Sequence, residues 1–230
     1  MATADPDALV IGAGPAGLMA AEVLAGAGLH VHVAEAMPTT ARELMLAGRA
    51  GLNLTKDEGP ARFAAACDPS GWLEPMLSAF GPAAVQDWCR GLGQPVFTGS
   101  SGRVFPVAMK ASPLLRAWAA RLAAAGVELR TRWRWRDLDG AGGALFATPA
   151  GTQVLRPAVT VLALGGASWA RLGSDGTWAP VLAARGVEVA PFRPANMGFR
   201  VDWSARMAAM FGTPVKGAAL CLSTGQRERG

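Results

Sequence analysis

The chain reads as an α/β protein built on a parallel sheet, and three observations predict it. An apolar run at 8–11 meets the cluster Gly12-Ala13-Gly14-Pro15-Ala16-Gly17. An apolar helical stretch at 15–27 follows, then a short alternating strand at 30–34 that ends in the acid Glu35. Far downstream, Val159-Thr160-Val161-Leu162-Ala163-Leu164 ends in Gly165 and Gly166, the pattern of a buried parallel strand whose carboxyl end lies near a ligand. The order strand, glycines, helix, strand, acid is that of a Rossmann-like βαβ unit. Its acid lies 21 residues after Gly14, the spacing used for a dinucleotide.

Each part of that unit has a physical task. Gly12 lets the backbone turn tightly out of the first strand. Gly14 offers no side chain, so a pyrophosphate can approach the backbone, and Gly17 lets the helix pack close to the sheet. The free N–H groups at the helix start suit an anion. Pro15 fits the first turn, where its missing N–H costs nothing. Glu35 accepts from ribose hydroxyls and would repel a 2′-phosphate.

Composition narrows the class. Of 230 residues, 51% are hydrophobic and 17% charged, which argues against disorder and suffices for one good core. A net charge of +5 does not by itself imply a nucleic-acid partner. Cys67, Cys89 and Cys221 are widely spaced and include no C-x-x-C pair, which fits a reducing cytoplasm. His30 and His32 are the only histidines. They share one strand face, no third ligand stands near them in sequence, and no metal site is expected. Residues 8–29 are nearly free of charge, but the glycine spacing explains them better than a membrane span does, and no membrane association is expected.

The rest of the chain follows in order. Residues 38–59 form a loop in which Gly48, Gly51, Arg49, Asn53 and Thr55 offer tight turns, donors and acceptors, either a surface connection or a segment lying along a cofactor. Helices are expected at about 60–66, 71–79 and 82–91, broken at Pro69 and Gly81, with Trp72, Phe80 and Trp88 in the core. Ser112 reads as the cap of a helix that has Pro113 at its first position and runs to Ala125. The stretch 127–136 reads as a strand placing Arg130, Arg132, Arg134 and Arg136 on one face and Trp133 and Trp135 on the other. A solvated arginine face and a packed tryptophan face is favoured over a nucleic-acid platform, which needs both residue types on one surface. Runs at 144–148 and 152–156 complete a β-meander. A helix at about 176–185 and a short strand at 187–189 follow, and the last forty residues carry strand-like pieces.

Five motifs occur in a fixed order: GAGPAGLMAAE, the acid Glu35, LMLAGRAGLNLT, GSSGRVFP and LALGGASWARLGSDG. With them, residues from about 8 to 200 resemble the FAD-binding flavoproteins of the aminoacetone oxidase-like and bile-acid reductase-like family, in its AGRxGLNLT branch. The resemblance implies a Rossmann-like FAD-binding domain of the glutathione-reductase type, with a β-meander and a helical insertion, over residues 1–190. Residues 191–230 would begin an inserted β-rich domain on the substrate side. Gly12, Gly14, Pro15, Ala16 and Gly17 would hold the FAD pyrophosphate, and Glu35 the adenosine ribose. Arg42, Gly48, Arg49, Gly51 and Asn53 would run along the cofactor towards the flavin. Gly165 and Gly166 would form the second cofactor-side turn, and Arg103 and Lys110 come from motifs near the substrate.

The sequence departs from the family at Ala41, where relatives carry Gly, at Glu43 in place of Lys, and at Ala170 in place of Pro. It also ends before the segment that in this family returns over the flavin, so an incomplete FAD domain is expected. The function implied is an FAD-dependent oxidoreductase, of amine oxidase or reductase type, in the cytoplasm. It would act on a small organic substrate, with NAD(P)H or oxygen as redox partner. The first βαβ unit alone also fits an NAD-dependent dehydrogenase. The arginine and tryptophan alternation raises an RNA-modifying flavoprotein, and the chain length a non-catalytic nucleotide-binding remnant.

Overall fold

A computed structural model of the protein describes residues 5–49, 51–67, 71–194, 200–213 and 217–229. The chain forms two compact units, Met1–Phe192 and Arg193–Gly230. The first is organised by a four-stranded parallel sheet of β1 (Ala8–Ile11), β2 (Val31–Glu35), β6 (Glu128–Thr131) and β10 (Val159–Leu162), in the order β10-β1-β2-β6. All four residues of β1 are buried, as a central strand covered on both faces requires. Ala8 and Val10 face a helical layer, while Leu9 and Ile11 face the meander.

Between these strands run α1 (Pro15–Gly26), α2 (Arg42–Ala47), β3 (Thr55–Lys56), α3 (Pro60–Ala64), α4 (Glu74–Ala79), α5 (Pro82–Gly91), β4 (Val96–Thr98), β5 (Arg103–Pro106) and α6 (Ala111–Ala124). Strands β3, β5 and β4 make a small antiparallel sheet. After β6 come the meander strands β7 (Arg134–Leu138), β8 (Ala144–Thr148) and β9 (Gly151–Leu155), then β10 and α7 (Ala179–Ala183). In the second unit, β11 (Ala219–Cys221) and β12 (Arg227–Arg229) pair as an antiparallel hairpin.

The helical layer is held to the sheet by Leu18, Ala21, Leu114, Trp118 and Leu122 packed on Val10, Val31 and Val33. One carboxylate joins three helices inside it. Glu22 of α1 accepts from the indole N–H of Trp88 at 3.2 Å, from that of Trp118 at 2.5 Å, and from Arg121 at 2.8 Å. The two indoles meet edge to face at 4.7 Å.

Several expectations change. The stretch 127–136 is not one strand. Arg132 sits in the left-handed region at φ +61°, so Arg130 stays on β6 while Arg134 and Arg136 belong to β7. Trp135 is buried and Trp133 packs on Phe146, so the tryptophans serve the meander core. Strand β10 is parallel, as expected, but it is an edge strand with Val159 and Leu162 exposed. Helix α6 starts one residue before Ser112, with Lys110 at its cap position and no side-chain cap. Trp72 and Phe80 are exposed rather than in the core, and 187–189 form no strand. The break expected at Pro69 lies outside the described residues.

His32, expected to pack or lie at the surface, is buried, and its parallel partner in β6 is Glu128. Burial, and then the Arg130 charge beside it, hold its imidazole below the ordinary histidine pKa.

The tightest constraint lies where β1 turns into α1. A Cβ on Gly17 would stand 1.8 Å from the Gly12 carbonyl oxygen, and one on Gly12 would stand 2.2 Å from the Ala163 oxygen. No side chain fits either place. Gly17→Ala must push α1 off the sheet and should cost about 1–3 kcal/mol in denaturant unfolding. Gly26→Ala in the same helix, with nothing within 4 Å of the added carbon, should be neutral or slightly stabilising.

Candidate functional site: a cavity at the carboxyl ends of the strands

The carboxyl ends of β1, β2 and β10 open into a cavity of about 690 Å³, within the range of ligand sites. The α1 start forms one wall. Gly14 is its cap residue with extended backbone, and Pro15 occupies the first turn. In contrast to Gly12 and Gly17, Gly14 has open space where a Cβ would project. Its glycine is therefore not demanded by packing within the protein. The N–H groups of the first turn have no side-chain cap, which leaves them available to an anion.

Glu35 stands opposite, at the end of β2. Its carboxylate accepts from the Ala13 N–H at 2.9 Å through Oε2 and from the Met37 N–H at 2.8 Å through Oε1. These bonds lock it between the glycine turn and the chain after β2. Each oxygen keeps a lone pair for a further donor. Strand β7 is tied to the same point: Trp133 N–H donates to the Glu35 carbonyl at 2.8 Å, and Arg132 N–H to Met37 at 3.2 Å. The left-handed turn at Arg132 thus brings Trp133 and Trp135 to the cavity wall beside Glu35.

The third wall follows β10. Gly165, at φ +72°, and Gly166 line the cavity. The Gly165 carbonyl accepts from the Trp178 indole at 3.1 Å, and its α-carbon faces Ser174. Arg134 reaches Asp175 at 3.2 Å, joining the meander to this loop. Burial pushes the Asp175 carboxyl up, but the Thr177 hydroxyl and N–H and then Arg134 outweigh it, so its pKa lies below the ordinary value.

The loop residues divide. Arg42 lines the cavity and bonds Thr39 through one terminal nitrogen at 3.1 Å, while its Nε is buried with no partner among the described residues. A buried cationic donor left unpaired is costly and fits an anionic or carbonyl-bearing ligand. Ala41, before it, is held at φ +48°, the conformation that suits glycine. Gly48 is occupied by packing, because a Cβ there would stand 2.6 Å from that of Ala111. Gly51 lies at φ +123° against Met109. Arg49 is exposed and away from the cavity. Asn53 lines a separate apolar hollow of about 270 Å³ with Pro15, Met19, Phe80, Trp88 and Trp118. Arg103 and Lys110 are exposed, and neither lines the cavity. Trp133, Asp175 and Trp178 also line the cavity. Asp175 stands in the motif LALGGASWARLGSDG and Trp133 in the arginine–tryptophan alternation, whereas nothing local marks Trp178.

Residues 6–220 match the HI0933-like protein Rossmann domain. The chain belongs to the HI0933-like family. Family membership identifies the dinucleotide as FAD. Among solved structures, the domain is similar to the 3-ketosteroid-Δ4-(5α)-dehydrogenase from Rhodococcus jostii RHA1. The identity is 19%, over 71% of this chain and 46% of that one, with a TM-score of 0.54. It is also similar to THI4 from Thermovibrio ammonificans, at 17% identity over 80% of this chain and 64% of that one, with a TM-score of 0.50. The chain thus spans about half the length of the first and under two thirds of the second. Comparison with curated protein sequences returns no match.

The residues present fit FAD: the cavity offers an uncapped helix start, an open α-carbon at Gly14, a locked acid and an unpaired Arg42 Nε. Gly14→Val fills space the protein does not use. It should shift unfolding stability by less than about 1 kcal/mol while lowering FAD affinity by at least about 100-fold, read by equilibrium dialysis.

Proposed function

We propose that this HI0933-like chain is the FAD-holding part of an FAD-dependent oxidoreductase acting on a small organic substrate. The observation that carries the proposal is the placing of Glu35. It is fixed by two backbone N–H groups, one of them that of Ala13 beside the start of α1, and it lines the same cavity as that helix start. An acid there takes ribose hydroxyls, and the helix start takes the pyrophosphate between them. The same negative charge disfavours a nucleotide bearing a 2′-phosphate.

In this reading Gly12, Gly14, Pro15, Ala16 and Gly17 hold the pyrophosphate, the first and last by letting the turn form at all. Gly165 and Gly166 keep the second turn low beneath the cofactor. Arg42 gives a positive charge to the same wall. Gly48 and Gly51 let the loop after α2 pass close to Ala111 and Met109, and Arg49 and Asn53, which lie outside the cavity, have no part in this grip. The bound flavin supplies the redox chemistry, and the chain supplies position and field.

The finer reading is an enzyme of the aminoacetone oxidase-like branch, of amine oxidase or reductase type, working in the cytoplasm with oxygen or NAD(P)H as redox partner. It is supported by the motifs LMLAGRAGLNLT and GSSGRVFP. Among the described residues, no helix is long and apolar enough to cross a membrane.

The experiment is cofactor identification. Purified protein, or protein given FAD and desalted, should be yellow, and the nucleotide released by heat should be FAD and not NAD. Glu35→Ala removes charge-assisted bonds worth about 1.5–3 kcal/mol, so FAD affinity should fall roughly ten- to 150-fold. Colourless protein that takes up no FAD contradicts the proposal, and unchanged affinity in the variant contradicts the role of Glu35.

A further inference from the structure

We propose that His30, His32 and Glu128 form a binding site for a divalent transition-metal ion, at the end of β2 and β6 opposite the FAD cavity. His30 stands just before β2 and His32 within it, their rings 4.7 Å apart, and the parallel register sets Glu128 beside His32. The His30 Nε2 is 3.3 Å from Glu128 Oε1, and the His32 Nε2 is 3.2 Å from Oε2. All three potential ligand atoms fall within 4.8 Å of one another. Ligands bound at about 2.1 Å in a tetrahedron stand about 3.4 Å apart, so both nitrogen–oxygen distances already suit a common ion. Two imidazoles and a carboxylate favour zinc, copper or nickel over magnesium or calcium.

A second observation comes from His32 itself. Its ring is buried, and its Nε2 has two neighbours with opposite needs. Glu128 at 3.2 Å requires a proton on that nitrogen, whereas Arg130 at 3.3 Å requires a lone pair. One nitrogen cannot serve both, and Nδ1 is buried without a partner. An ion removes the conflict at Nε2 by taking its lone pair together with a carboxylate oxygen of Glu128; the proton then sits on Nδ1. Arg130 keeps its 3.0 Å bond to Glu128 Oε2 and its place 5.0 Å from the Trp133 ring centre.

Arg130 is also a cation beside the site. It competes with the ion for Glu128 and weakens the ion's binding. The ion would pin edge strand β6 to β2, and so steady the Arg132 turn and Trp133 at the cavity wall. Its loss would therefore be read in stability before activity.

The test uses the full chain, stripped with a chelator and titrated calorimetrically with Zn²⁺ alone. One ion per chain should bind with a micromolar Kd, and Mg²⁺ should give no signal. His30 and Glu128 have exposed side chains, so His30→Ala and Glu128→Gln leave the fold intact and should each weaken Zn²⁺ at least about tenfold. Arg130→Met should tighten it at least about threefold, since it removes the competing charge. No Zn²⁺ binding up to about 100 μM overturns the proposal. So does binding untouched by His30→Ala and Glu128→Gln, or binding weakened by Arg130→Met.

Discussion

The structure depends on the contact between the start of α1 and the turn that leaves β1. At Gly17 the helix rests against the Gly12 carbonyl, and at Gly12 the turn rests against the backbone of Ala163. Helix, turn and the chain after β10 are thereby fixed together at backbone distance. The uncapped N–H groups of α1 then point to one place, and the carboxyl ends of three strands surround it. A looser helix would leave the same residues with no common focus.

Glu35 extends that constraint across the cavity. Its side chain ties the glycine turn to the chain after β2, and its carbonyl receives the Trp133 N–H at the start of the meander. A single residue so connects the glycine turn, the chain after β2 and the packed tryptophans. This explains how a site with few charged groups can hold its shape. It is rigid because each wall is bonded to the next, and the Arg134–Asp175 pair closes the circuit on the β10 side.

The glycine fingerprint, the acid and the strand after the meander were legible in the sequence because each is a local need with a local residue type. Only glycine tolerates the approaches at 12 and 17, and only a short apolar strand feeds them. The break at Arg132 was not legible, since an arginine at positive φ follows no local preference and is held there by bonds from Arg132 and Trp133 to the end of β2. The pairing of His30 and His32 with Glu128 spans 98 and 96 positions and arises from strand register alone. The glycines at 48 and 51 illustrate a different ambiguity. Loop spacing suited a cofactor and a tight connection equally, and the structure uses both glycines to pass close to Ala111 and Met109. Trp72 and Phe80 looked like core residues by type, yet their helical segment packs too lightly to bury them.

If the grip on the cofactor resides at the α1 start and Glu35, it is a grip on the ADP half of FAD. Competition against bound FAD tests this most directly, with ADP and FMN as rival ligands followed by flavin fluorescence. ADP should displace FAD at concentrations where FMN does not. Displacement by FMN with no effect of ADP would place the binding energy at the flavin end and contradict it.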